Sequence, residues 1–119
     1  MLTESIHAGA FLISEEDGHI SRDAVTIVSG QNLVAGAVLG KITSGGKYAA
    51  YDNNASDGTQ TAAAILYAAC DATAGDTQAT AITRMAEVNG KELTWSDNSP
   101  SSDVTAGIAD LAVVHIIVR

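Results

Sequence analysis

Apolar residues in this chain come in short bursts, and polar or glycine-rich turns separate them. Residues 25–28 (VTIV) form a β-branched run that predicts a strand, followed by a turn at 29–32 (SGQN). Residues 33–42 (LVAGAVLGKI) continue the apolar pattern, with Gly36 and Gly40 breaking it into short pieces. Each of these glycines is expected either to adopt φ > 0 or to permit close backbone approach. Residues 43–47 (TSGGK) predict a hairpin turn, 48–51 the returning strand and 52–58 a loop. Residues 61–70 (TAAAILYAAC) are ambiguous, because alanine favours helix. The segment is short and closed by turns, however, and its Ile-Leu-Tyr centre suits a buried strand. Residues 77–85 alternate small, β-branched and polar side chains, again as a strand. Asn89-Gly90 predicts a turn before Leu93-Thr94-Trp95, and residues 96–102 a loop around Pro100. Asp103, with Ser102 as the rival cap, predicts a short helix to about Leu111. Residues 113–118 then close the chain as a strand.

The first 23 residues differ from the rest. They hold one apolar patch, Ala10-Phe11-Leu12-Ile13, with polar stretches on either side and a turn at Glu15-Glu16-Asp17-Gly18. An extended N-terminal arm over 1–23 and a folded body over 24–119 is the simplest division. The expected class is β-rich α+β: a small single domain of short strands and loops with one short C-terminal helix.

Length and composition support this division. A chain of 119 residues is one domain in size and buries roughly two-thirds of its unfolded surface. Eleven glycines and one proline suit strands joined by tight turns. Six Lys and Arg against 14 Asp and Glu leave a net charge of -8, and the six cations are scattered. Direct nucleic-acid binding is therefore not expected, since acidic charge repels phosphate. Cys70 is the only cysteine, so no internal disulfide can form. No stretch reaches the roughly 20 apolar residues that span a bilayer, and the N-terminus does not read as a secretory leader. The expectation is a protein made in, and used from, a cytoplasm, with no membrane partner.

Candidate chemistry is sparse. His7, His19 and His115 lie far apart, none at a zinc-ligand spacing from another ligand. His7 and His19 are expected in the arm and its turn, and His115 as a hydrogen-bonded core or interface imidazole. Residues 52–58 (DNNASDG) resemble a calcium loop, but Asp57 stands where glycine is needed and Ala63 where a bidentate Glu is needed. No metal or other cofactor is expected. Cys70 has small neighbours and an adjacent Asp71, which suits a buried, inert thiol. No serine sits in a nucleophile elbow and no glycine-rich phosphate loop is present, so no enzyme constellation emerges. Trp95 suits an edge-of-core anchor or an interface residue equally. Lys47 on its hairpin resembles the modified lysine of lipoyl- or biotinyl-type carrier barrels, although its flanking residues lack either attachment motif.

Five stretches in one order carry a family resemblance: HAGAFLISEEDGHISRDAVTI, SGQNLVAGAVLGKI, TSGGKYAAYDNNASDGTQTAAAILYAACDAT, AITRMAEVNGKELTW and the terminal IIVR. From His7 to Arg119 the chain resembles the head decoration proteins of tailed phages, the lambda capsid protein D-like family. The resemblance implies a small mixed α/β fold without catalytic residues. It implies homotrimers on the exterior of the mature icosahedral head, bound after shell expansion. There they cement neighbouring capsomers against the pressure of packaged DNA. The expected partners are the major capsid protein and the subunit itself. The expected location is the virion, after a period in the host cytoplasm. An N-terminal arm that contacts the major capsid protein puts Ile6, Phe11, Leu12 and Ile13 on the capsid-facing side.

Overall fold

The computed structural model describes residues 11–15, 18–95 and 101–119. Ten short strands and two α-helices follow one another along it. They are β1 (Leu12–Glu15), α1 (Gly18–Ser21), β2 (Arg22–Ile27), β3 (Asn32–Leu33), β4 (Val38–Lys41) and β5 (Tyr48–Ala50), then β6 (Ala62–Leu66), β7 (Cys70–Asp71), β8 (Thr77–Ile82), β9 (Ala86–Val88), α2 (Ser101–Val113) and β10 (Ile116–Val118). A 3₁₀ turn, Gly90–Glu92, follows β9, with Asn89 as its cap. The β-rich α+β class read from the sequence is the class of the fold.

Five strands close into a barrel in the order β2-β5-β4-β6-β8. Strand β2 runs antiparallel to β8 from Arg22 opposite Ile82 to Ile27 opposite Thr77. Closure is narrow: β2 meets β5 in parallel only at Ile27 and Tyr48, extended by the Val28 N–H donating to the Tyr48 carbonyl at 3.0 Å. Outside the barrel, β9 is the centre of a three-stranded sheet, with β1 antiparallel on one side and β10 parallel on the other. Strands β3 and β7 form a separate two-stranded ladder.

Two apolar clusters explain why the barrel strands lack a clean polar alternation. One holds Val25, Ile27, Leu39, Ala64, Leu66 and Ala81. The other holds Phe11, Val38, Tyr51, Ile65, Ile82, Val88, Leu111 and Ile116. Successive residues of β4 and β6, and the Ala81-Ile82 end of β8, thus enter opposite clusters, so both faces are buried there and β6 reads as a continuous apolar run. The ambiguous run 61–70 resolves in this way, as β6 and the start of β7. A bulge between Leu39 and Gly40 shifts the register against β6. It puts Ala62 and Ala64, two residues apart, in different clusters.

Both glycines that interrupt 33–42 are required by sterics. Gly36 has φ +85, and Gly40 faces Thr59 so closely that a Cβ would lie 2.5 Å from the Thr59 Cα.

Three expectations need correction. Helix α2 is longer than the predicted 103–111, running from Ser101 to Val113. Its end is a left-handed residue, His115, at φ 64; the Val113-Val114 pair suggested strand, but the backbone turns first and β10 starts at Ile116. His115 is exposed, so it is not a core imidazole. The third correction concerns the arm boundary. Residues 11–15 and 18–23 pack with the body: Phe11 is fully buried, and β2 begins at Arg22. Long-range hydrogen bonds stitch residues 20–23 to 83–85. The Thr83 N–H donates to the Ser21 carbonyl, the Ser21 hydroxyl to the Met85 carbonyl and the Arg84 guanidinium to the Ile20 carbonyl. The apolar patch at 10–13 suggested an arm because its partners, β9 and α2, lie far away in sequence.

Candidate docking surface

Among the residues expected to face a capsid, Ile6 lies outside the described residues, as do the first ten positions. The other three sit at the root of β1 and divide by burial. Phe11 has 0% exposure and belongs to the larger core cluster, its ring close to Gly36. Its carbonyl accepts the Asn89 N–H at 2.7 Å. Leu12 is partly buried against the same cluster. Ile13 stands at a register shift between Leu12 and Ser14 and is 54% exposed.

Strand β1 is an outer strand of its sheet, with β9 on one side only. An outer strand offers unpaired backbone groups that another chain can extend. On the same sheet, Ile117 of β10 is exposed beside Glu87 of β9, and Arg119 Nε pairs with the Glu87 carboxylate at 2.9 Å. Ile20, Val34, Met85 and Val113 are the other exposed large apolar residues among those described. Hydropathy could not distinguish these from core residues, and the sequence carries no other signal for them.

The remaining candidate residues are occupied structurally. The acids of the loop resembling a calcium site do not converge. Asp52 accepts from the Asn54 N–H at 3.0 Å. Asp57 accepts from the Thr59 N–H and hydroxyl at 3.1 and 2.6 Å, and these bonds hold its carboxyl below the usual carboxylate range. No group of three or more potential metal ligands occurs among the described residues. Cys70 is 7% exposed, and burial, then the nearby Asp71, pushes its thiol pKa up. Lys47 pairs with Asp76, a poor arrangement for a swinging carrier lysine. Asp76 also accepts from the Ser29 N–H. Trp95 packs edge-on to Tyr51, with ring centres 5.8 Å apart, so an anchoring role is visible. Gly107 of α2 makes room for it: a Cβ there would lie 2.5 Å from Trp95 Cζ3.

Two charged features complete the surface. Asp23 accepts from Arg84 Nη2 at 2.6 Å and from the Thr83 hydroxyl at 3.0 Å. The Arg84 bond first, then the Thr83 bond, hold its carboxyl below the usual range against the opposing effect of desolvation. Lys41, on the neighbouring β4, holds its ammonium 5.9 Å from the Tyr48 ring centre. No helix of the described residues is long and apolar enough to cross a membrane.

A family model described as bacteriophage lambda head decoration protein D matches residues 1–116. No curated protein matches the chain.

Proposed function

Because the chain belongs to the bacteriophage lambda head decoration protein D family, a structural family of the phage capsid, we propose that it binds the exterior of the expanded head as a homotrimer and braces the shell against internal DNA pressure. The observation that carries this reading is the family match over nearly the whole chain, joined to an outer strand that follows directly on an anchored Phe11. In this reading the residues before Phe11, Ile6 among them, together with Leu12 and Ile13, contact the major capsid protein. Phe11 acts as the anchor that fixes where this segment leaves the body. Extending β1 by main-chain pairing supplies affinity, and alternate side chains supply specificity. A single contact of this size is weak, but three on one trimer gain effective concentration worth on the order of 10²–10⁴ in avidity.

The subunit assembles in the host cytoplasm and functions in the virion. It works without a cofactor, and neither nucleic acid nor membrane is a direct partner, consistent with the net charge of -8. The carrier reading has no support beyond a hairpin lysine. Co-sedimentation with expanded heads and with unexpanded precursors tests the function. Binding to expanded heads alone is expected, and equal binding to both forms would refute completion of the site by expansion.

A further inference from the structure

Met85 and His115 are the two non-glycine residues with left-handed backbones among those described, at φ 55 and φ 64. They meet where β9 and β10 begin: the Met85 N–H donates to the Val114 carbonyl at 3.3 Å, and the Ala86 N–H to the His115 carbonyl at 3.1 Å. Strained backbone of this kind persists only where surrounding contacts enforce it, and it concentrates at ligand clamps. Here both side chains point outward, Met85 with 41% exposure.

The two residues line a groove of about 430 Å³ together with Val114, Tyr48, Lys41, Arg84 and Asp23. Arg84 is already committed to Asp23 and to the Ile20 carbonyl. Lys41 is exposed and makes no direct ion pair among the described residues; its ammonium lies over the Tyr48 ring and adds a weaker electrostatic pull on the Asp23 carboxylate that Arg84 engages. Lys41 and Arg84 against Asp23 leave the groove one net positive charge, on a chain of net charge -8, beside the apolar side chains of Met85 and Val114.

We propose that this groove receives a carboxylate-bearing segment of the head-shell protein, with the acid on Lys41 and a neighbouring apolar side chain against Met85 and Val114. The inference rests on the decoration reading and adds a second contact, away from β1. Charge complementarity selects the occupant: an acid would complete a direct ion pair at Lys41, whereas a basic segment would meet Lys41 while Arg84 already occupies Asp23. A thioether is flexible and polarizable, so Met85 can adapt to the apolar partner.

The test is head binding across a range of salt concentrations for the wild type, Lys41→Gln, Lys41→Glu, Met85→Asn and the control Lys91→Glu. Lys91 is exposed on the 3₁₀ turn, and its reversal changes net charge equally. Asn tolerates the left-handed backbone and removes the apolar contact. Lys41→Glu should weaken binding about tenfold or more by placing like charges together. Lys41→Gln should weaken it less and flatten the salt dependence, Met85→Asn should weaken it at all salt concentrations, and Lys91→Glu should bind as wild type. Melting temperatures establish that each variant is folded, and Lys41→Gln carries the test if Lys41→Glu is not.

Unchanged binding by both Lys41 variants would overturn the groove assignment while leaving decoration intact. Equal weakening by Lys91→Glu would reduce the effect to overall charge and overturn it as well. A change in the sedimentation of the free subunit, with head affinity unaltered, would identify the occupant as a second copy and overturn the assignment to the shell. Wild-type protein that fails to bind heads would refute the decoration reading, and the groove inference would fall with it.

Discussion

Replacing Phe11 with alanine separates a core role from a contact role. The ring is fully buried in a cluster with Val38, Tyr51, Ile65, Val88 and Leu111, and its backbone carbonyl is fixed by Asn89. Truncating a buried phenylalanine costs about 3–5 kcal/mol, since the transfer free energy is lost and a cavity remains. Against a domain stability of about 5–15 kcal/mol, this is a large share. For a chain of this size it corresponds to a fall in melting temperature on the order of 10–20 °C. Ile13→Ala, two residues further on in β1 and half exposed, should change stability by less than about 0.5 kcal/mol. Thermal unfolding followed by circular dichroism measures both, and head binding well below the midpoint measures the contact role. Ile13→Ala should weaken head binding with its melting temperature kept. A Phe11→Ala variant that melts within a degree of the wild type and yet loses head binding would refute the core role. The ring would then be a contact, and its burial would not describe the free subunit.

Deleting residues 2–10 should weaken head binding severely and leave the melting temperature in place, whereas deleting 2–20 should destabilise the body by removing Phe11 and β1; equal melting of the two deletions would contradict this. Gly107→Ala should destabilise the fold by about 1–3 kcal/mol, because its Cβ would overlap the Trp95 ring. Helix propensity alone predicts a gain of about 1 kcal/mol, so the sign of the change in urea unfolding decides. Cys70 should resist thiol reagents until denaturant is added, given its burial and raised pKa; rapid native labelling would show an open site. The lowered carboxyl pKa values of Asp23, Asp57, Asp71 and Asp76 contribute stability that is fully present above the unfolded-state value of about 4. That stability is lost as pH falls through the lower folded values. The melting temperature should therefore hold from neutrality to about pH 5 and drop below pH 4, less steeply in Asp23→Asn.

The parts of the fold set by local chemistry were legible in the sequence. The β-branched run of β2, the Gly45-Gly46 hairpin and the two constrained glycines, Gly36 and Gly40, needed no knowledge of distant partners. What escaped were features decided by packing between segments remote in sequence. Phe11 resembled part of an arm because nothing nearby covers it; Val88, Leu111 and Ile116 do. Helix α2 was underestimated because Ala112-Val113 fits a strand as well as a helix, and the stop is a left-handed His115 where glycine is usual. Of the docking surface, Ile13 was legible as apolar and close to the N-terminus. The Met85–His115 corner was not, since a left-handed methionine leaves no mark in composition or periodicity.

The place of β9 between β1 and β10 also sets an order of events during synthesis. Leu12 pairs with Val88, and Ile116 with Ala86, so the strand nearest the start of the chain waits for one made much later. That strand is itself flanked by β10, which is made later still. Contacts this distant in sequence form slowly, because loop closure must precede them. The pocket around the Phe11 ring is complete only when Leu111 and Ile116 arrive. Chains made only as far as β9 thus have no seated β1, and the strand gains its place in the sheet only once α2 and β10 have been added.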